Sequence, residues 1–375
     1  MKIRELMEAA WAARREGNTP LAGELLKQAE TLGRRDDSPL LSAVITRQAH
    51  LAEDEGRSRE RLRLAEEAVR EARRHGQPTA VAHALRHHAQ ALADENPDAA
   101  RTPSEEALQL YDDHDPGSPD HANALRAGAI IQAACGQVRA AIRLWLRARA
   151  LYGGFGVSAG VQEADHHLHA LTVLRVDHLI FFAPNLKSGS SRVAELLGCK
   201  PRVGGRHPAF GTHNALLSLG DTCYFEVIAP DPDLAAPQRG RLTDRWHRPG
   251  IASWCVASDQ LVEDAHGSVV PLGETQTGRR QRPDGSELVW SMTDIFADRM
   301  GGSVPFLIDW GDSRHPGADA PPAGELQALR LGHPNPDVLR EALHRIDIAP
   351  PVEPSSEAFL EATIRLPDGT QVTLR

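Results

Sequence analysis

Apolar positions recur at two different spacings along this chain, and the change falls near residue 173. From residue 3 onward they return every three to four positions, the spacing of amphipathic helices. After residue 173 they gather in short runs of four to eight, broken by Gly and Pro, as in strands. The first pattern also repeats. Blocks Ser38–Gly76, Gln77–Gly117 and Ser118–Gly156 are 39, 41 and 39 residues long, and each holds two helix-period stretches around a break, "EDEGRS", "DENPDA" or "ACGQVR". A fixed period of this size signals stacked helical hairpins. Ala68, Ala107 and Ala148 fall at matching points of the second helices, and Ala49, Ala89 and Ala129 at matching points of the first. Small side chains there let helices approach closely. "IRELMEAAWAARREG" and "LAGELLKQAETLG" add a hairpin in front, and "SAGVQEADHHLHAL" reads as the cap that an exposed solenoid end needs.

The second half reads as strand, helix, three strands, twice over. "TVLRVDHLIFFA" is a strand, "SGSSRVAELLG" a helix stopped at Gly198, and "PRVGGRHPAFG", "HNALLSLG" and "TCYFEVIAP" are strands. The second pass is "GIASWCVAS", the short helix "QLVEDAHGS", then "GETQTGRRQ", "ELVWSMTD" and "SVPFLIDWG". The expected fold class is α+β multidomain: an all-α helical-hairpin solenoid over 1–171, then paired βαβββ modules over 172–375. Within the second part, module one is 173–232, module two 248–312 and a C-terminal extension 313–375. Almost no linker separates the parts.

Composition narrows the options. With 375 residues, 41% hydrophobic and 25% charged, the chain has room for two or three cores. No apolar run nears the roughly 20 residues that span a bilayer, and "MKIRELMEAAWAARREG" has no apolar signal region, so a cytoplasmic location without membrane contact is expected. A net charge of -9 disfavours nonspecific nucleic-acid binding. Cys135, Cys199, Cys223 and Cys255 are far apart with no CxxC, which predicts reduced thiols rather than a zinc knuckle or disulfides. The histidines in "RHHAQ" (His87, His88) and "DHHLH" (His166, His167, His169) invite a metal reading, but neighbours on a helix diverge by about 100°. Only His166 and His169 share a face, and a solvated surface is expected there.

Two resemblances add to this. The hairpin blocks resemble the tetratricopeptide repeat in a variant of about forty residues, which implies a protein partner on the repeat. "VDHLIFF", "GGRHPAFGTHNALLSLG", "YFEVIAPDPD" and "VPFLIDW" resemble the glyoxalase-like group of the vicinal oxygen chelate superfamily, to which glyoxalase I belongs; "LRLGHPNPDVLREALHRI" and "ATIRLPDGTQVTLR" extend the likeness to the C-terminus. In that superfamily, ligands on the first and fourth strands of each module surround a divalent ion that keeps open positions for an oxygen substrate. The resemblance implies His178 and Glu226 as the metal ligands of module one. Aligning "HLIFFAPNL" with "SWCVASDQL" puts Ser253 opposite His178, and aligning "YFEVI" with "LIDWG" puts Asp309 opposite Glu226. The implied site is therefore His178, Glu226 and Asp309 in one cavity with Ser253 at its edge, able by ligand type to hold Mg, Mn, Fe or Zn. The other reading is a metal-free pocket in which His178 bonds Glu226.

"GGRHPAFGTHN" supplies Gly204, Gly205 and Gly211 for close backbone approach, and Arg206, His207, His213 and Asn214 as donors to a ligand; a bulged hairpin with solvated tips is the plainer reading. Trp254 and Trp310 either wall an apolar substrate pocket or belong to the core. Two functions follow. One is a metal-dependent lyase, isomerase or dioxygenase-type enzyme on a small oxygenated substrate, with Asp309 as ligand or general base and His207 as substrate contact or proton carrier. The other is a non-catalytic module that sequesters a small molecule while the repeat recruits a partner.

Overall fold

A computed structural model describes residues 2–281 and 287–375. The chain divides into two compact units, Met1–Asp165 and His166–Arg375. Among the described residues no helix is long and apolar enough to cross a membrane.

The first unit is built from antiparallel helix pairs: α1 (Ile3–Arg15), α2 (Thr19–Arg35), α3 (Leu41–Asp54), α4 (Ser58–His75), α5 (Pro78–Ala93), α6 (Pro97–His114), α7 (Pro119–Ala134) and α8 (Val138–Gly154). A ninth helix, α9 (Ser158–Val173), follows. The boundaries have local causes. Proline opens α5, α6 and α7, where its missing N–H has no partner to lose. Asn96 and Ser118 cap the free N–H groups of α6 and α7, and Gly76 ends α4 in the left-handed region at φ 70°. The six alanines at matching points are all buried, none more than 3% exposed, so the block period read from the sequence is a packing period. Ion pairs between successive pairs, such as Arg34–Glu67, Arg73–Glu106 and Arg126–Glu163, follow a similar spacing. Half-exposed pairs of this kind contribute about 0–1 kcal/mol each. His87 is not simply solvated: its Nδ1 lies 3.0 Å from His50 Nε2, and its ring is 4.7 Å from that of His83. His166 is exposed, as expected.

In the second unit β1 (Val176–Phe182), α10 (Leu186–Leu197), β2 (Arg202–His207), β3 (Thr212–Ser218) and β4 (Tyr224–Pro230) form module one. Module two is β5 (Gly250–Ala257), α11 (Leu261–Gly267), β6 (Gln276–Gln281), β7 (Glu287–Met292) and β8 (Phe306–Asp309). Their strands make one sheet in the order β2-β3-β4-β1-β5-β8-β7-β6. β1 runs parallel to β4, β5 parallel to β8, and the modules join where β1 and β5 pair antiparallel. The sheet curls until its outermost strands, β2 and β6, approach one another. The C-terminal extension is a separate sheet, β10-β9-β11-β12, built from β9 (Glu325–His333), β10 (Val352–Pro354), β11 (Phe359–Arg365) and β12 (Gln371–Leu374), with α12 (Pro336–His344).

Strand alternation sorts the side chains. Leu179, Phe181, Phe225, Val227, Trp254 and Leu307 point to the convex face and pack with Leu329, Leu339, Leu343 and Leu360 of the extension. Their neighbours His178, Ile180, Glu226, Ile228, Phe306 and Ile308 line the concave face. All seven residues of β1 are buried, which a strand covered on both faces requires.

Candidate functional site

The concave face forms a pocket that is partly open to solvent. Most of its wall is apolar: Phe210, Leu242, Trp290, Met292, Phe306 and Trp310 are among its residues. The polar groups gather at His178, His207, Asn214, Tyr224 and Glu226.

His178 stands on the central strand, 3% exposed, with its ring stacked on Tyr224 at 4.5 Å. Its Nδ1 lies 2.6 Å from Asp177 Oδ1, and its Nε2 lies 3.8 Å from Glu226 Oε2. Neighbours on a strand normally face opposite ways. Here the β1–β5 register shifts between Val176 and His178, and Asp177 reaches its neighbour's imidazole. Asp177 Oδ2 accepts from Trp310 Nε1 at 2.8 Å and lies 3.3 Å from His315 Nε2. Gly317 N–H donates to His315 Nδ1 at 3.2 Å, so the His315 proton sits on Nε2, facing Asp177. Burial pushes the Asp177 carboxyl up, but the hydrogen bonds from His178 and His315 outweigh it and hold the group at about 2. An ionised Asp177 takes the Nδ1 proton of His178 as its hydrogen bond, which leaves Nε2 a free lone pair toward the cavity.

Glu226 is fixed from the other side. Asn214 Nδ2 donates to Glu226 Oε1 at 2.6 Å, and Asn214 Oδ1 accepts from Gly205 N–H at 2.7 Å. The β2–β3 register shifts between Val203 and Arg206, so the two glycines form a bulge whose N–H holds the amide. The "GGRHPAFGTHN" segment therefore orients a carboxylate. Its other polar residues divide by strand parity. His207 lines the cavity with its Nδ1 3.3 Å from Thr212 Oγ1. Arg206 is instead paired with the buried Asp231 at 2.6 Å, and His213 lines a groove on the outer surface with Lys187 and Lys200.

The module-two residues need correction. His178 pairs with Tyr224 across β1–β4, and Cys255 pairs with Phe306 across β5–β8. The counterparts of His178 and Glu226 are thus Cys255 and Ile308. Cys255 to Leu261 is two residues shorter than His178 to Leu186, and aligning the helix starts slid Ser253 into the imidazole's place. A two-residue slip keeps the face, so Ser253 is still on the concave side, but it borders a neighbouring cavity. Asp309 is displaced by one residue, which turns it to the other face: Phe306, Ile308 and Trp310 line the cavity, while Asp309 Oδ1 accepts from Gly311 N–H at 2.8 Å. Trp254 is fully buried in the convex core, its Nε1 donating to Ser303 O at 2.9 Å. Trp310 does line the cavity and also holds Asp177. Sequence reading missed Asp177, Tyr224 and His315; only the Asp-His doublet in "VDHL" was a visible signal for the first.

Two facing modules that wall an apolar cavity with an imidazole and a carboxylate on the first and fourth strands make a domain of the vicinal oxygen chelate type. Residues 176–346 match the family model described as a glyoxalase-like domain, and the chain carries that domain of the superfamily. Among solved structures, the helical region is similar to BtubC (BKLC) from P. vanneervenii, at 19% identity and TM-score 0.36 over 44% of this chain and 79% of that one. It is also similar to the tetratricopeptide-like repeats of a putative kinesin light chain from Podosopora anserina, at 18% and 0.36 over 44% and 91%. A Streptomyces coelicolor methylmalonyl-CoA epimerase in complex with 2-nitronate-propionyl-CoA is similar at 16% and 0.27, over 38% and 98%. No curated protein matches the sequence.

The donor set does not fit the four-ligand metal cage that the superfamily implies. Of the four implied ligand positions, only those of His178 and Glu226 place donor atoms on the cavity wall, with Nε2 and Oε2 3.8 Å apart. Ile308 offers no donor, and Cys255 is wholly buried, with burial and nearby Asp177 pushing its thiol well above the usual range. Asp177, His178 and Cys255 do bring one ligand atom each within 4.8 Å, yet both Asp177 oxygens already serve His178, Trp310 and His315.

Proposed function

We propose that the glyoxalase-like domain moves a proton on a small, largely apolar molecule bearing oxygen groups, as an isomerase or lyase. The observation that carries this reading is the line Asp177 Oδ1, His178 Nδ1, His178 Nε2, Glu226 Oε2, with gaps of 2.6 and 3.8 Å, at the polar end of an apolar cavity. Asp177 fixes the tautomer, so Nε2 is the base that takes a proton from a carbon next to a carbonyl. Glu226, held by Asn214, stands beside it to share that proton and pass it back to the substrate. The apolar wall keeps water from competing for it. Such positioned proton transfer contributes about 10²–10⁴-fold. A metal ion held by His178 and Glu226 alone would bind weakly, and no step here is assigned to one.

Carbon-bound hydrogen exchange tests the reading. Incubated in D2O with a panel of small ketones and hydroxy-ketones and followed by NMR, the protein should exchange at least one of them. His178→Asn and Glu226→Gln should lose the exchange. Binding without exchange across the panel would instead favour the sequestration reading, which the replaced ligands Cys255 and Ile308 support. For the helical unit we infer a protein partner, supported by its stacked hairpins. Crosslinking of the full chain in a cell extract, with recovery of no protein in stoichiometric amount, would count against it.

A further inference from the structure

A second cavity, partly open to solvent, adjoins the first and shares Leu242 and Ile295 with it. Arg299, Arg245 and Ser253 also line it. Arg299 is only 4% exposed, and its guanidinium lies 5.4 Å from the centre of the Phe306 ring, which also meets His178 edge-on at 5.3 Å. Its partners are all neutral: Nη1 donates to Val304 O at 2.7 Å, and Nη2 to Ser253 Oγ and Ile295 O, both at 3.3 Å. Nε is buried and donates to nothing. Among the described residues no carboxylate forms an ion pair with Arg299; Asp294, nearby, is taken by Arg239 at 2.7 Å. Burial pulls the guanidinium down to about 10, with Arg245 adding to the shift and Cys255, Asp294 and Asp298 opposing it. Arg175 is the informative contrast. It is similarly buried and donates to three carbonyls, but the Asp264 carboxylate stands 4.0 Å away.

Burying a cation with no carboxylate in contact is costly, as is leaving a hydrogen bond unmade on a charged group. Nε and Nη2 share one edge of the guanidinium, the edge that grips a carboxylate in a fork. On Arg299 that edge carries an unused Nε and two long bonds that yield to a charged acceptor. Arg245, on the same cavity, adds a second cation, so the two arginines outnumber the one carboxylate, Asp298, that also lines it. We propose that this cavity is a carboxylate-binding site, with Arg299 as its anchor and Arg245 at its entrance. The inference does not depend on the proton-transfer reading. The carboxylate comes either as a separate small acid or as the tail of a molecule whose body fills the main cavity past Ile295.

Thermal melting of the full chain in sodium acetate and sodium hexanoate, against sodium chloride at equal ionic strength, tests it. Acetate should raise the melting temperature saturably, and Arg299→Gln should weaken its apparent affinity about tenfold or more, with Arg245→Gln showing a smaller loss. If Arg299→Gln does not fold, Ala297→Glu, which sets a second carboxylate beside Asp298 on the cavity wall, should raise the melting temperature in chloride and abolish the acetate response. Hexanoate binding tenfold tighter than acetate supports the site and makes it a tail subsite; equal affinities support it as a separate one. Acetate acting no differently from chloride on the wild type, or equally on wild type and Arg299→Gln, overturns the proposal.

Discussion

At the residue scale the site depends on which nitrogen of His178 carries the proton. Asp177→Asn leaves the volume unchanged but presents an amide that can donate to Nδ1, which moves the imidazole proton to Nε2 and removes the base. Hydrogen exchange should fall by about 100-fold or more while ligand affinity stays within a few-fold, measured by NMR exchange and by calorimetry. Equal loss in both would make Asp177 a structural residue only. Asn214 gives a second check. Asn214→Ala strands the Gly205 N–H and one Glu226 oxygen, and denaturant unfolding should show a loss of about 1–3 kcal/mol. His178 and Glu226 were legible in the sequence because each sits in a short recognisable phrase. Asp309 and Ser253 were misplaced because strand register, not phrase similarity, decides which face a residue takes, and an offset of one residue reverses it.

At the element scale the cavity wall is shaped by a glycine. Gly278 on β6 sits opposite Trp290 on β7, and a Cβ at this position would lie 2.2 Å from the indole. The ring lies across the glycine and from there forms part of the cavity wall. Gly278→Val should drive the indole aside, changing tryptophan fluorescence and weakening ligand binding about tenfold, while the melting temperature moves by only a few degrees. Unchanged fluorescence would contradict this packing. The order of strands and helices was readable because Gly and Pro punctuate it; the two-residue contraction between β5 and α11 was not, since no residue type marks a shortened loop.

At the scale of the whole molecule, the two units respond differently to their surroundings. Metal removal tests the second unit: dialysis against EDTA should leave its hydrogen exchange unchanged, and loss restored by Mn or Zn would reinstate a metal centre. Acid tests the first. Burial, with Arg14 and Arg86 adding repulsion, holds His50 down to about 4, and burial with Arg86 does the same for His83. These side chains stay neutral in the folded helices but protonate near 6.5 when unfolded. Their contribution is therefore complete above about pH 6.5 and is lost as pH falls toward 4, a drop on the order of a few kcal/mol. Melting curves between pH 7 and 4 should show it, and His50→Gln combined with His83→Gln should flatten the slope. The block period was plain from sequence because alanines recur at fixed points; the pairing of His50 with His87 was not, because it joins helices 37 positions apart.

The curl that brings β2 to β6 has a consequence for life at high protein concentration. A sheet's outermost strands are where foreign chains add by backbone pairing, the first step toward fibres. Here the two outermost strands of the large sheet are turned toward each other, and the small sheet ends in β10, three residues closing on Pro354, and β12, four residues long. The protein thus presents little backbone for strand-by-strand growth, so a concentrated sample is expected to stay free of thioflavin-binding aggregates for as long as the large sheet remains curled.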